Sequence, residues 1–84
     1  FELDWDRDLL PTLMFWHTDG GITGEPWNGQ FRALGCEPLA AAFDLHTDVS
    51  TAPNPINRRG VKTWIDIDPA KPVEIHHSVR GFNT

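Results

Sequence analysis

The sequence predicts an all-β chain: short antiparallel strands arranged sheet on sheet as part of a β-sandwich, with little helix. Three observations carry this. Five short stretches alternate apolar and polar residues with a period of two, or are apolar on both parities. Two long segments between them, residues 18–29 and 38–60, are punctuated by Gly and Pro. No heptad, internal repeat or low-complexity tract runs through the 84 residues.

Residues 1–6 set Phe1, Leu3 and Trp5 against Glu2, Asp4 and Asp6, the signature of a half-buried strand. Residues 12–17 carry Leu13, Phe15 and His17 on one parity and Met14 and Trp16 on the other. Both faces are apolar, so this strand reads as central and needs cover on both sides. Residues 18–29 form a loop that holds Gly20, Gly21, Gly24, Pro26 and Gly29, with Trp27 near its tip. A Trp there either folds back onto a core or faces a ligand.

Residues 31–37, FRALGCE, place Phe31, Ala33, Gly35 and Glu37 on one face and Arg32, Leu34 and Cys36 on the other. Pro38 is expected to stop that ladder. Glu37 then stands at a strand end, either exposed or held in a cleft that suits it to proton transfer. After it, residues 39–43 are expected to form one helical turn behind Pro38. Turn signals follow at Thr47-Asp48, at Pro53-Asn54-Pro55 and over residues 57–60. A loop this long is usually functional or disordered. Residues 61–67 are the clearest strand, with Val61, Thr63, Ile65 and Ile67 opposed to Lys62, Trp64 and Asp66. Residues 68–72 turn the chain, and residues 73–79 close the series as a fifth strand.

Length limits the chain to one small domain, and a domain of this size buries only roughly 60–65% of its unfolded surface. Five strands, one of them apolar on both faces, cannot cover themselves while half the chain stays in loops. The expected remedy is cover from outside these residues, by the remainder of a parent chain or by a partner subunit. The sequence also opens at Phe1 directly on a strand pattern, which reads as a cut inside a longer protein.

The net charge of -5 leaves no basic stripe for nucleic acid. No apolar run reaches the roughly 20 residues of a membrane span. Cys36 is the lone cysteine, so no internal disulfide or Cys-based zinc site can form. It reads as a buried thiol and fits a reducing, cytoplasmic compartment. His76 and His77 alternate in face and cannot jointly chelate one metal from a single strand. No metal site and no cofactor are expected.

The run FWHTDGGITGEPWNGQFRALGCEP, residues 15–38, resembles the C-terminal part of galactose mutarotase-like proteins, the aldose 1-epimerase family. The likeness rests on the order Phe15-Trp16, Gly20-Gly21, Pro26-Trp27 and Gly35-Cys36-Glu37-Pro38. More loosely it extends over residues 5–82. It implies that residues 1–84 form the C-terminal part of a larger two-sheet antiparallel sandwich that binds a sugar on its concave face. It also implies interconversion of sugar anomers through ring opening. A glutamate there takes the proton of the anomeric hydroxyl, and a histidine protonates the ring oxygen. Glu37 stands where that glutamate stands.

Two departures bear on this. Better-studied epimerases carry a Gln two positions after the glutamate and a Pro-Asp pair soon after. Here Leu39 and Ala40-Ala41-Ala42 occupy that ground, as in the divergent branch. The family's catalytic histidines and sugar-binding arginine belong to its N-terminal half, and no histidine here matches their place. This chain therefore supplies at most the general-base half of the mechanism. Trp16 and Trp27 are the candidate sugar-stacking residues, their alternative role being sandwich core. The other functional readings are a carbohydrate-binding domain without catalysis and a structural β-domain that docks on a partner chain.

Overall fold

The alternation of residues 12–17 and 31–37 becomes the longest ladder in the molecule. The computed structural model describes residues 1–83. In it, β1 (Glu2–Trp5), β2 (Thr12–Asp19), β3 (Arg32–Leu39) and β4 (His77–Arg80) are joined by one short helix, α1 (Thr47–Thr51), and a 3-10 turn at Asn57–Arg59. The strands form two antiparallel sheets, β2 with β3 and β1 with β4. The molecule is all-β, as the sequence predicts.

In the β2–β3 hairpin, Thr12 lies opposite Leu39, Met14 opposite Glu37, Trp16 opposite Gly35 and Asp19 opposite Arg32. The loop at its closed end is tied by Gly20 N–H donating to the Phe31 carbonyl at 2.9 Å and Gly29 N–H donating to the Ile22 carbonyl at 2.9 Å. Arg32 and Asp19 add an exposed ion pair there at 3.1 Å. Pro38 does not stop the ladder, for β3 runs on to Leu39 with Pro38 opposite Leu13. Each strand of a two-stranded hairpin has an open outer edge, and a proline whose missing donor would face that edge removes no ladder bond.

The second sheet pairs Glu2 with Arg80 and Trp5 with His77. Beyond the ladder, Asp6 N–H donates to the His76 carbonyl at 3.2 Å, and the His76 N–H donates to Asp6 Oδ2 at 2.9 Å. Only the last part of the expected 73–79 strand is paired, because β1 is too short to reach further. The expected strand over residues 61–67 has no ladder at all among the described residues. Its burial nevertheless alternates as far as Asp66: Val61 and Ile65 are half-buried and Thr63 fully buried, while Lys62, Trp64 and Asp66 are exposed; Ile67, expected on the inward side, is exposed too. The pattern fixes which side faces inward, and no strand lies beside it.

The expected helical turn at residues 39–43 is also absent. Phe43 adopts a left-handed backbone with φ of 55°, which no α-turn accommodates, and His46 follows with φ of 76°. The helix forms later instead, over a Thr-Asp-Val-Ser-Thr run of weak helix formers, so tertiary bonds set its position. Ser50 anchors it by accepting the Ala42 N–H on Oγ at 2.9 Å.

Those bonds belong to a polar knot. Ala42 is the one buried hydrophobic residue among those described, whereas Ser50, Asn54 and Thr63 are all buried. Asn54 Oδ1 accepts the N–H groups of Ile56 at 3.0 Å and Asn57 at 2.9 Å. Its amide nitrogen lies 3.2 Å from the carbonyls of Val49 and Ala52 and from Thr63 Oγ1. Thr63 Oγ1 in turn donates to the Ser50 carbonyl. Asn57 closes the circuit, its Oδ1 accepting the Asn54 N–H at 2.9 Å and its Nδ2 donating to the Ala52 carbonyl at 2.8 Å. Every buried side-chain N and O among the described residues has a partner, which makes such a network stabilising rather than costly. The long loop is thereby ordered by hydrogen bonds instead of an apolar core.

Candidate functional site

Residues directly opposite in an antiparallel pair share a face. The register therefore gathers Met14, Trp16, Gly35 and Glu37 on one face of the hairpin, continued past the start of β3 by Phe31. The other face carries Leu13, Phe15, His17, Leu34, Cys36 and Pro38.

Gly35 is the hinge of the first face. A Cβ there would lie 3.3 Å from Glu37 Oε1 and 3.3 Å from Trp16 Cβ, with the indole's Cε3 at 3.5 Å. The carboxylate and the indole thus flank one bare stretch of backbone. The Trp16 and Phe31 rings follow on, their centroids 6.2 Å apart and tilted by 38°. Glu37 is exposed, and Trp16 retains 43% of its surface open to solvent. The result is an open aromatic shelf with a carboxylate at its edge. Such a shelf can stack the C–H face of a planar or ring-shaped ligand on Trp16 and accept a hydroxyl proton or hydrogen bond at Glu37.

Trp27 lies elsewhere. It sits on the turn that follows the cis Glu25–Pro26 bond, where its N–H donates to the Gly24 carbonyl at 3.0 Å. That loop closes the hairpin beyond Asp19 and Arg32, whereas Glu37 is five residues farther along β3, about 17 Å at strand rise. Of the three residues singled out by sequence, two share the shelf and the third occupies the opposite end of the hairpin. Trp27 also remains 43% exposed.

No histidine of the paired strands shares the shelf, and His46 lies in the loop between β3 and α1. His17 is on the reverse face of β2, opposite Leu34. His77 begins β4 in the other sheet, next to His76. The described residues also form no group of three or more His, Cys, Asp or Glu placed to hold a metal ion. Cys36, expected to be buried, is only half-buried, since the hairpin face it occupies has no cover. No described helix is long and apolar enough to cross a membrane.

One residue of this site, Met14, was not singled out from the sequence, and the part played by Gly35 was not legible there. Met14 is brought beside Glu37 by register alone, and Gly35 gains its meaning from the two side chains that close over it. A glycine in an otherwise apolar strand was the signal available, because it marks a place where something approaches the backbone closely.

No protein-family model matches the chain, and no curated protein or solved structure matches it.

Proposed function

We infer that the chain contributes the general-base side of an aldose 1-epimerase-like site, a galactose mutarotase-like reading in which sugar anomers interconvert by ring opening. The observation that carries this is the Glu37 carboxylate set against the Trp16 indole across the bare Gly35 backbone. A pyranose laid on Trp16 would present hydroxyl groups to Glu37, which takes the anomeric proton while the ring oxygen is protonated from elsewhere. That acid comes from outside the two strands of this face, which place no histidine on it. The remainder of a parent chain or a partner subunit would supply it, and would also cover the exposed faces of the hairpin. The compartment that fits is the cytoplasm.

The lack of a histidine on this face of the paired strands favours a second reading, a carbohydrate-binding β-sandwich without catalysis. The two part on one experiment. Anomer interconversion of a panel of aldoses, followed by NMR exchange, is expected to accelerate with the intact parent protein, which brings the missing acid, and to lose at least two orders of magnitude with Glu37→Gln. Equal rates for both proteins would remove Glu37 from any catalytic role. Sugar binding without acceleration, abolished by Trp16→Ala, would establish the binding reading.

A further inference from the structure

We propose that residues 61–67 form the edge of a homodimer, pairing antiparallel with the same residues of a second copy about Trp64. The segment has the composition and, through Asp66, the alternating burial of a strand, without its pairing. Its composition is β-branched and aromatic, yet none of its backbone N–H or C=O groups bonds to another backbone group among the described residues. An exposed row of unpaired backbone groups is a template for pairing with another strand. Thr63 is wholly enclosed, so the free edge belongs to the exposed residues Lys62, Trp64 and Asp66. A cleft of about 590 Å³ runs beside them, lined also by Leu9, Asn57 and Gly60. An added strand has room to lie there.

The choice of a second copy follows from charge. Antiparallel pairing centred on Trp64 sets residue 62 opposite residue 66 of the other copy, and 66 opposite 62. Lys62 then meets Asp66 twice, once on each side of a Trp64–Trp64 pair. On the other parity, Val61 meets the exposed Ile67 and Thr63 meets Ile65. The sequence VKTWIDI is thus self-complementary in one register, and shifting by one residue would set side chains of opposite faces against each other. Two-fold symmetry closes the interface, so pairing ends at two copies instead of growing into a fibre. The pairing stands independently of any sugar chemistry at Glu37, and its test reads mass and cross-linking alone.

Sedimentation equilibrium across a concentration series is expected to show a monomer–dimer equilibrium. Lys62→Glu is expected to raise the dissociation constant at least tenfold, because a carboxylate then faces Asp66 at both ends of the pairing. The exchanged pair Lys62→Glu/Asp66→Lys restores it to within about threefold, since both contacts reform. Should Lys62→Glu perturb folding, cysteine cross-linking in a Cys36→Ser background gives a second readout. Trp64→Cys puts two thiols on Cα atoms about 5.5 Å apart, within disulfide range. Asp66→Cys puts them about 14 Å apart, out of range. Oxidation is expected to link the first and leave the second free. A monomer at every concentration, a dimer insensitive to the charge exchange, or equal cross-linking at both positions overturns the proposal.

Discussion

Asn54→Ala should free the long loop, and the size of the effect follows from what Asn54 holds. Its Oδ1 accepts two backbone N–H groups, Ile56 and Asn57, and its amide nitrogen has two protons to share among the surrounding oxygens. At about 1 kcal/mol net for each of four hydrogen bonds, truncation removes about 4 kcal/mol, and water entering the vacated space returns part of it. The expected loss is about 3 kcal/mol, which is about 150-fold in the opening equilibrium. Native-state hydrogen exchange reads this locally: the Ile56 and Asn57 amides should exchange about 150 times faster than in the wild type. Asn54→Asp sharpens the test. It keeps an acceptor for both amides but turns a second oxygen toward the carbonyls of Val49 and Ala52. The variant keeps both accepted N–H groups and loses the two donors, so its Ile56 and Asn57 amides should stay better protected than those of Asn54→Ala. Exchange at Ile56 and Asn57 that changes less than threefold in Asn54→Ala would refute the assignment of Asn54 as the hub.

Three other outcomes follow from the same geometry. Gly20→Ala forces a Cβ to within 2.7 Å of the Gly29 carbonyl oxygen at a φ of +77°, and it should destabilise the hairpin by about 2 kcal/mol or more, read as a lower urea midpoint. Gly35→Ala gains strand propensity while crowding Glu37 and Trp16 by a few tenths of an ångström, so stability should change by less than about 1 kcal/mol. On the proposed sugar-binding reading, affinity measured by titration calorimetry should nonetheless fall at least tenfold, because the added methyl fills the floor of the shelf. Arg80→Ala removes an exposed pair with Glu2 at 2.7 Å and should shift the urea midpoint by no more than about 0.5 kcal/mol equivalent.

What the sequence disclosed and what it withheld divide along a physical line. Side-chain alternation reports which parity is buried, and it placed β1, β2, β3 and the shared face of Gly35 and Glu37 correctly. Of Val61, Thr63, Ile65 and Ile67, the parity it set inward, the first three are buried or half-buried and Ile67 is exposed. Alternation says nothing about which strand lies alongside, so residues 61–67 read as a paired strand although they pair with none of the described residues. The three alanines at residues 40–42 argued for a helical turn on local propensity. A hydrogen bond from Ala42 to Ser50 and the left-handed Phe43 overrode that preference. The polar knot was the least legible part, since Ser50, Asn54, Asn57 and Thr63 follow no period and only folding brings their polar atoms together. At the candidate site, strand parity and family likeness singled out Glu37 and Trp16, but loop length hid how far Trp27 lies from them.

The pairing of β1 with β4 also sets an order in time during synthesis. The hairpin partners β2 and β3 leave the ribosome close together and can zip within about 1–10 μs. Trp5 must wait for His77, 72 residues later, which is roughly 4–14 s at 5–20 residues per second. Through that interval β1 is a nascent strand with both edges bare, and the alternating carboxylates of Glu2, Asp4 and Asp6 give it a use for charge that the finished sheet does not reveal. Two such nascent strands meeting side by side would oppose acid to acid, which holds β1 back from wrong partners until Arg80 arrives to neutralise Glu2.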